Sequence, residues 1–207
     1  MPSKATTTTK ARIAEAAFAT VRELGYKGAS ARAIAARGGF NQALIFYHFG
    51  GTDGALLAAL DQSTEERLAR YRECMEGVTA LPAMVEAART LFKEDFDSGH
   101  VKLLAELVAA GASNPELGKQ VALRVAPSLA FSQETFERVM VGSPLAMLVE
   151  SKDAAYALSA LYLGMELLAN LEGSLDASDA LFAAAGRVAS LLSLVMPAAP
   201  HATGERT

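Results

Sequence analysis

Apolar residues recur at intervals of three and four along most of this chain, the spacing that lines one face of an α-helix. Alanine and leucine dominate, and the strict alternation of apolar and polar residues that is typical of a strand is rare. The pattern therefore predicts an all-α protein with about nine helices. We expect them near residues 9–24, 31–37, 42–48, 53–75, 82–97, 101–110, 115–141, 153–171 and 178–195.

Side chains that can cap a helix stand before several of these segments. We expect Thr9, Ser30 and Thr52 to accept hydrogen bonds from the first free N–H groups of their helices. Asn114 stands directly before a proline, and that pair is typical of a helix start.

Glycine and proline are expected to end or interrupt the helices. Gly25 suits a left-handed residue at the end of the first helix, and Gly111 is predicted to end the sixth. Pro127 lies inside the seventh helix and should kink or split it, because proline has no backbone N–H and its ring clashes with the preceding turn.

One segment carries a functional pattern. Residues 30–49 contain two short predicted helices joined by a turn at Gly38-Gly39, which is the outline of a helix-turn-helix. Such a unit places its second helix in the DNA major groove. The first helix, with its apolar stripe, would support a reading unit that is too short to fold alone.

The charge is divided unevenly along the chain. The whole chain carries −4, yet residues 1–50 hold seven Lys or Arg and two acids, so this part is +5 and the remainder −9. A basic segment of this kind indicates that only the N-terminal part meets a polyanion such as DNA. The alternative is an ordinary fluctuation of charge along the sequence.

Four ordered segments resemble the N-terminal domain of tetracycline-repressor (TetR) family regulators. They are residues 13–18 (IAEAAF), 24–26 (LGY), 34–39 (IAARGG) and 46–50 (FYHFG), and the likeness covers about residues 10–60. The resemblance implies a three-helix DNA-binding domain over residues 1–51 and a helical ligand-binding and dimerisation domain over residues 52–207. It also implies a pseudo-palindromic operator and a small-molecule effector.

The predicted DNA-contacting residues lie on or beside the two short helices. Asn41 and Gln42 can donate to and accept from adenine edges, whereas Tyr47 and His48 are expected at backbone phosphates. Asn41 has an equally plausible role as a cap of helix three. Phe46 and Phe49 are assigned to the core. The complete predicted set is Ser30, Arg32, Asn41, Gln42, Ala43, Leu44, Tyr47, His48 and Thr52.

Three of these positions depart from the family pattern. The family commonly has Ser or Thr at the position of Asn41, Gly at that of Ala43 and Lys at that of Thr52. Thr52 keeps a hydroxyl but loses the charge that contacts a phosphate in the family. We therefore expect a weaker salt dependence of DNA binding than the family norm.

The last two helices are apolar on more than one face, so each needs burial on more than one side. We predict that they pair with their copies in a homodimer, and the alternative is a pair of fully internal helices. The predicted dimer residues are Tyr156, Leu161, Gly164, Leu168, Phe182, Val188 and Leu192.

By family analogy, helices five to seven are expected to enclose an effector pocket, and helix eight adds further candidate residues. The candidate lining of the pocket is Phe92, Phe96, Leu103, Glu106, Leu107, Phe131, Met140, Tyr162 and Glu166. Apolar residues at this spacing also form ordinary cores, and for the charged members we favour exposure to solvent over contact with a ligand. Few charges fall within the apolar stripes, which favours an apolar or amphipathic ligand.

Several other classes lack their signatures. The three histidines are scattered, and the sequence has no glycine-rich phosphate loop and no His-Glu-x-x-His pattern, so we expect no enzyme, metal or cofactor. A single cysteine, a polar N-terminus and the absence of a run of about 18 apolar residues favour a cytoplasmic protein with no membrane contact. The sequence thus predicts a ligand-responsive DNA-binding repressor. The alternative is a helical small-molecule-binding protein without DNA function.

Overall fold

The structure, a computed structural model, describes residues 8–141, 143, 146 and 148–195. Within these residues the chain forms nine α-helices and no strand, which confirms the all-α prediction. The helices are α1 Thr9–Gly28, α2 Ala31–Gly38, α3 Ala43–Phe49, α4 Thr52–Cys74, α5 Leu81–Ser98, α6 His100–Ser113, α7 Pro115–Val139, α8 Ser151–Glu172 and α9 Asp176–Val195.

The described helices fall into two compact units. The first contains α1 to α3, α4 as far as Ala69, and the segment Ser98–Ala126 with α6 and the first half of α7. The second contains Arg70–Asp97 and the chain from Pro127 onward, with α5, α8 and α9. The functional boundary between residues 51 and 52 stays a prediction.

The first unit is held by aliphatic side chains from each of its helices. Ile13 and Val21 of α1, Ile34 of α2 and Ile45 of α3 are completely buried, and the buried faces of α4 and α6 add Leu56, Leu60, Leu103 and Leu107. Each such side chain contributes roughly 1.5–3 kcal/mol relative to an exposed one. The two short helices are therefore fixed by the longer helices around them.

The caps of the first two helices follow the predicted chemistry, with one shift. Ser30 Oγ accepts a hydrogen bond from the Ala33 N–H at 3.2 Å, as expected. The cap of α1 is Thr8 and not Thr9, since Thr8 Oγ1 accepts from the Ala11 N–H. Gly25 has a positive φ of 68° and breaks α1, but the helix resumes and continues to Gly28.

Helix α6 continues past Gly111, where we predicted its end. A Cβ on Gly111 would lie 2.8 Å from the Cα of Gly118, so the two glycines let α6 and α7 approach each other closely. Close helix packing explains this glycine. The helix ends three residues later at Asn114, whose Oδ1 then accepts from the Leu117 N–H and caps α7 as predicted.

Helix α7 runs through Pro127 without being split. Proline removes the hydrogen bond to the carbonyl of Leu123, four residues earlier. Leu123 itself is 66% exposed, and the chain is helical on both sides of Pro127. The expected split therefore does not occur.

The second unit has its own aromatic core. Phe92 of α5, Ala169 of α8 and Phe182 of α9 are buried together, and Phe96, Tyr162 and Met165 pack against them. The Phe92 ring meets the rings of Tyr162 and Phe182 edge to face, with centroids 5.2 and 5.3 Å apart. This geometry is favoured by the quadrupoles of the rings.

Candidate nucleic-acid interface

Helix α3 divides into a buried and an exposed side. Ile45 is completely buried and anchors the helix, whereas Gln42, Ala43, Phe46 and Tyr47 are exposed. The helix thus presents an amide, a methyl group and two aromatic rings outward. These are groups that can meet base edges, thymine methyl groups and phosphates.

The turn before α3 depends on its glycines. Gly39 has φ 64° and ψ 39°, and its N–H donates to the Ala35 carbonyl to close α2. A Cβ on Gly38 would lie 2.0 Å from the Phe40 ring and 3.0 Å from the Ala16 side chain. The turn can therefore be this tight only without side chains at residues 38 and 39.

Asn41 has a structural partner. Its Oδ1 accepts a hydrogen bond from the Ala43 N–H at 2.9 Å, so its oxygen is engaged at the start of α3. This bond is an Asx turn one residue before the helix N-cap, Gln42, which itself makes no side-chain capping hydrogen bond. The amide nitrogen takes no part in this bond, and the residue is exposed.

Tyr47 is the most exposed aromatic residue of α3, at 81%. Its ring meets the half-buried His48 ring edge to face, with centroids 4.9 Å apart. Phe46 is 55% exposed, so its assignment to the core was wrong. The three-residue step from Ala43 places Phe46 beside it on the outer side of the helix, a placement that the apolar character of Phe46 concealed.

A sharp corner joins α3 to α4, whose axes differ by 67°. Gly50 has a left-handed φ of 74° and ends α3. A Cβ on Gly54 would lie 2.1 Å from the Phe49 carbonyl oxygen, so only glycine allows this approach. Thr52, half-buried, is the first residue of α4 beside this corner.

The arginines of the first unit differ in whether they bond to other groups of the protein. Arg37 is paired with Glu23, and the Arg12 guanidinium donates to the Gly38 carbonyl at 3.3 Å. Arg32 is exposed and makes no ion pair with any described residue. Arg32 stands two residues after the Ser30 cap in the sequence.

The predicted effector residues do not form one cluster. Leu103, Glu106 and Leu107 belong to the first unit, where both leucines are core residues. Glu106 accepts a hydrogen bond from the Tyr26 backbone N–H. In the second unit lie Phe92, Phe96, Phe131, Met140, Tyr162 and Glu166.

A buried polar network lies in the second unit around Asp95, which is 1% exposed. Its carboxylate accepts from the hydroxyls of Tyr71 and Tyr162 and from Arg70 at 3.2 Å. Asp95 is therefore an acid in the interior of this unit and does not belong to a solvated helix face. Its position three residues after the buried Phe92 was the available signal.

Glu166 is also buried, at 1% exposure, so the solvent-facing interpretation was wrong for it. The ring of Phe131, on α7, packs against the ring of Tyr71 with the ring centroids 5.8 Å apart. Met140 is buried. The second unit therefore combines aromatic side chains with two buried carboxylates.

Helices α8 and α9 carry large apolar side chains that this chain leaves uncovered. Tyr156, Leu161, Leu168 and Val188 are each more than half exposed, as are Leu171, Leu191 and Leu194. Leu192 and Gly164 are half-buried. Phe182, also predicted at the dimer interface, instead packs within the chain against Phe92.

An open groove of about 750 Å³ follows α9 within the second unit. Of the residues predicted to bind the effector or to form the dimer, only Phe182 lines this groove. It is lined by Pro82, Glu86, Phe182, Ala183, Gly186, Arg187, Ser190, Leu191 and Leu194.

Length and composition alone would let α8 and α9 each cross a bilayer, and the bent pair α3 and α4 passes the same test jointly. Only 17% of the apolar window in α8 or α9 is buried in this chain. Across the described residues, no group of three or more His, Cys, Asp or Glu is placed to hold a metal ion.

A known family matches the part of the sequence that forms α1 to α3 and the start of α4. Residues 13–60 match the family described as bacterial regulatory proteins, tetR family. The HTH-type transcriptional regulator UidR of Escherichia coli K12 is 33% identical over 109 residues, which are 53% of this chain and 55% of UidR. UidR of Shigella flexneri matches equally. The chain thus spans about half the length of the curated relatives it matches.

Solved structures share the whole architecture. A transcriptional regulator from Rhodococcus sp. Rha1 has a TM-score of 0.71 at 24% identity, covering 93% of this chain and 100% of that one. GusR of Salmonella enterica has a TM-score of 0.68 at 22% identity, covering 91% and 95%. These similarities confirm the predicted fold of an N-terminal helix-turn-helix domain followed by a helical domain.

Proposed function

Since residues 13–60 match the tetR family of bacterial regulatory proteins, we propose that the chain is a member of that family and a ligand-responsive transcriptional regulator that binds operator DNA as a homodimer. The observation that carries this proposal is the outer side of α3. It is held from behind by the buried Ile45 and presents Gln42, Phe46 and Tyr47 to solvent. Exposed aromatic rings are costly on a surface that has no partner.

The charge distribution supports DNA as the partner of this helix. The basic excess is confined to the first 50 residues, and Arg32 beside the Ser30 cap is free to meet a phosphate. The Ser30 oxygen accepts the Ala33 N–H, which leaves its own hydroxyl proton for a phosphate oxygen. Phosphate contacts position the head, while Gln42 and its neighbours on α3 read bases.

Dimerisation accounts for the exposed apolar residues of α8 and α9. A face that carries Leu161, Leu168 and Val188 gains about 25 cal/mol for each Å² of apolar surface removed from water. A second copy with the same face can cover it around a two-fold axis. The two heads of the dimer then fit half-sites one DNA turn apart, on the order of 34–36 Å, on a pseudo-palindromic operator.

The response to a small molecule follows from a shift between conformers. DNA selects the conformer with correctly spaced heads, and an effector that fits another conformer better depletes it. We place the effector in the second unit, near Phe92, Phe131 and Tyr162. The aromatic surroundings favour an apolar or amphipathic molecule. We propose that the effector releases the protein from its operator, so that the protein acts as a repressor in the absence of the effector.

The remaining features fit a cytoplasmic regulator that has no catalytic role, cofactor or membrane contact. The matched relatives are themselves transcriptional regulators. A partner subunit would cover α8 and α9, whose apolar windows also fit a bilayer. The alternative function, a small-molecule-binding protein without DNA, has no use for an exposed reading helix.

The decisive experiment selects duplexes from a random pool with the full-length protein and measures their binding by fluorescence anisotropy at several salt concentrations. We expect a pseudo-palindromic duplex whose affinity falls steeply with salt. Enrichment of no duplex would leave the ligand-binding alternative. If the full chain instead partitions into lipid vesicles and is monomeric in aqueous solution, the proposed dimer is contradicted.

A further inference from the structure

The break in α1 at Gly25 disrupts one helical hydrogen bond. In an unbroken helix the Tyr26 N–H would donate to the Arg22 carbonyl, four residues earlier. Gly25, with φ 68° and ψ 176°, redirects the chain, so the Tyr26 N–H cannot bond to the Arg22 carbonyl. The Tyr26 N–H is partly buried and needs another partner there, whereas the Arg22 carbonyl is exposed and has water as an alternative partner.

Two side chains of α6 supply these partners. Glu106 Oε2 accepts the Tyr26 N–H at 2.8 Å, and Lys102 Nζ donates to the Arg22 carbonyl at 2.5 Å. Lys102 and Glu106 are four residues apart and therefore lie on one side of α6. An acceptor faces the free donor, and a donor faces the free acceptor.

Gly25 also leaves room for the carboxylate. A Cβ at this position would lie 3.3 Å from Glu106 Oε1 and 3.4 Å from Oε2, tighter than ordinary contact. Its positive φ adds a second reason why a side chain is disfavoured there. The glycine thus creates the break and admits the residue that satisfies it.

We propose that Lys102 and Glu106 form a clamp on the broken hydrogen bond of α1 and set the orientation of the DNA-reading head on α6. They are positioning residues, which act through α1 and touch no DNA themselves. Helix α1 packs against both α2 and α6, so the angle of α1 on α6 determines where α2 and the following α3 point. This inference rests on the proposed function, because the orientation matters only to a protein that reads DNA.

The clamp, unlike a surface ion pair, requires the acidic residue at position 106 and the basic residue at position 102. Exchanging the two residues, as Lys102→Glu with Glu106→Lys, keeps opposite charges one helical turn apart. It also places an ammonium group against the Tyr26 N–H and a carboxylate against the Arg22 carbonyl. The exchanged pair cannot satisfy either backbone group.

The test uses full-length protein and the duplex selected by the wild type, together with a pool of duplexes that differ only in half-site spacing. Glu106→Ala is expected to bind the wild-type duplex about tenfold more weakly, since a charged hydrogen bond is lost, and to accept a wider range of spacings. Glu106→Gln keeps an oxygen acceptor and is expected to recover most of the affinity and the single spacing. The exchanged double variant is expected to behave like Glu106→Ala.

Amide hydrogen exchange at Tyr26 provides a readout that needs no DNA. Protection in the wild type and in Glu106→Gln, with faster exchange in Glu106→Ala, supports the clamp. Equal affinity, spacing and exchange in the wild type and Glu106→Ala would overturn it. If Glu106→Ala does not fold, Lys102→Ala takes its place, and an unchanged spacing preference there overturns the proposal. Selection of no duplex by the wild type would instead contradict the proposed function, while the exchange result still decides on the clamp.

Discussion

The Tyr26 hydroxyl donates a hydrogen bond of 2.8 Å to Asp53 Oδ1 and so joins α1 to the first turn of α4. Burial, the hydrogen bond and the charge of Asp53 raise the pKa of Tyr26 to about 12. All three effects favour the neutral phenol. The bond therefore persists throughout the physiological pH range.

The raised pKa predicts a pH dependence of stability with a definite sign. Tyr26 in the folded chain holds its proton more tightly than in the unfolded chain, so its contribution is complete below pH about 10 and is lost as the pH approaches 12. The free energy of unfolding should fall more steeply over this interval in the wild type than in Tyr26→Phe. Urea unfolding at several pH values measures this, and parallel profiles would contradict the prediction.

Tyr47→Ala should separate DNA binding from stability. The side chain is 81% exposed, so its loss should change the free energy of unfolding by less than about 0.5 kcal/mol while weakening binding to the selected duplex. Ile45→Ala is the matched control on the same helix. Because Ile45 is completely buried, it should cost about 2–5 kcal/mol. Thermal unfolding that collapses in Tyr47→Ala would assign this ring to the core.

Thr52→Lys should strengthen the salt dependence of DNA binding. The substitution introduces a positive charge beside the corner after α3, where the resemblance places a phosphate contact. The slope of log K against log salt should steepen by about one unit. Thr79→Lys adds the same charge at an exposed site between α4 and α5, and its slope should stay at the wild-type value. Equal slopes for all three proteins would place Thr52 away from the DNA.

Leu161→Glu combined with Leu168→Glu should convert the dimer into a monomer. Both leucines are more than half exposed on α8, so the carboxylates cost little in the isolated chain but are desolvated in the interface. Light scattering at micromolar concentration measures the mass. Leu123→Glu is the control, since this leucine of α7 is equally exposed and lies outside the proposed interface. A wild-type monomer would contradict the interface assignment.

Asp95→Ala should destabilise the second unit. The carboxylate is buried, and its loss leaves the Tyr71 and Tyr162 hydroxyls and the Arg70 guanidinium without this acceptor. Arg70 is partly exposed and can recover water, so we expect about 3 kcal/mol in urea unfolding. Tyr162→Phe removes one hydrogen bond and should cost about 1 kcal/mol. A neutral Asp95→Ala would contradict the structural role of the network.

The sequence predicted most where local chemistry decides the structure. Ser30 caps α2 and Asn114 caps α7 because the hydroxyl or amide group stands directly beside the N–H that it satisfies. The boundary at Gly111 was wrong because the reason for that glycine is close packing with Gly118, and a contact between two helices leaves no periodic signal along one of them.

The candidate site shows the same division. The outward position of Tyr47 followed from its place in the pattern, whereas Phe46 was assigned inward because of its apolar ring. For Glu166 a solvent-facing position was considered because of its charge, and the residue is buried. In each of these errors a residue's chemical type was allowed to outweigh its position on the helix. The partners that make such positions stable come from other helices, and a single sequence does not display them.

The corner at Gly54 has a consequence for how the binding specificity of this protein can change over generations. Any side chain at residue 54 meets the Phe49 carbonyl, so that position tolerates no replacement. The outer positions of α3, such as Ala43 and Tyr47, are free of such constraint because they are exposed. In the proposed DNA-binding role, mutations at these exposed positions change which bases α3 contacts while the corner between α3 and α4 stays fixed, so related proteins can acquire new target sites without rebuilding the fold.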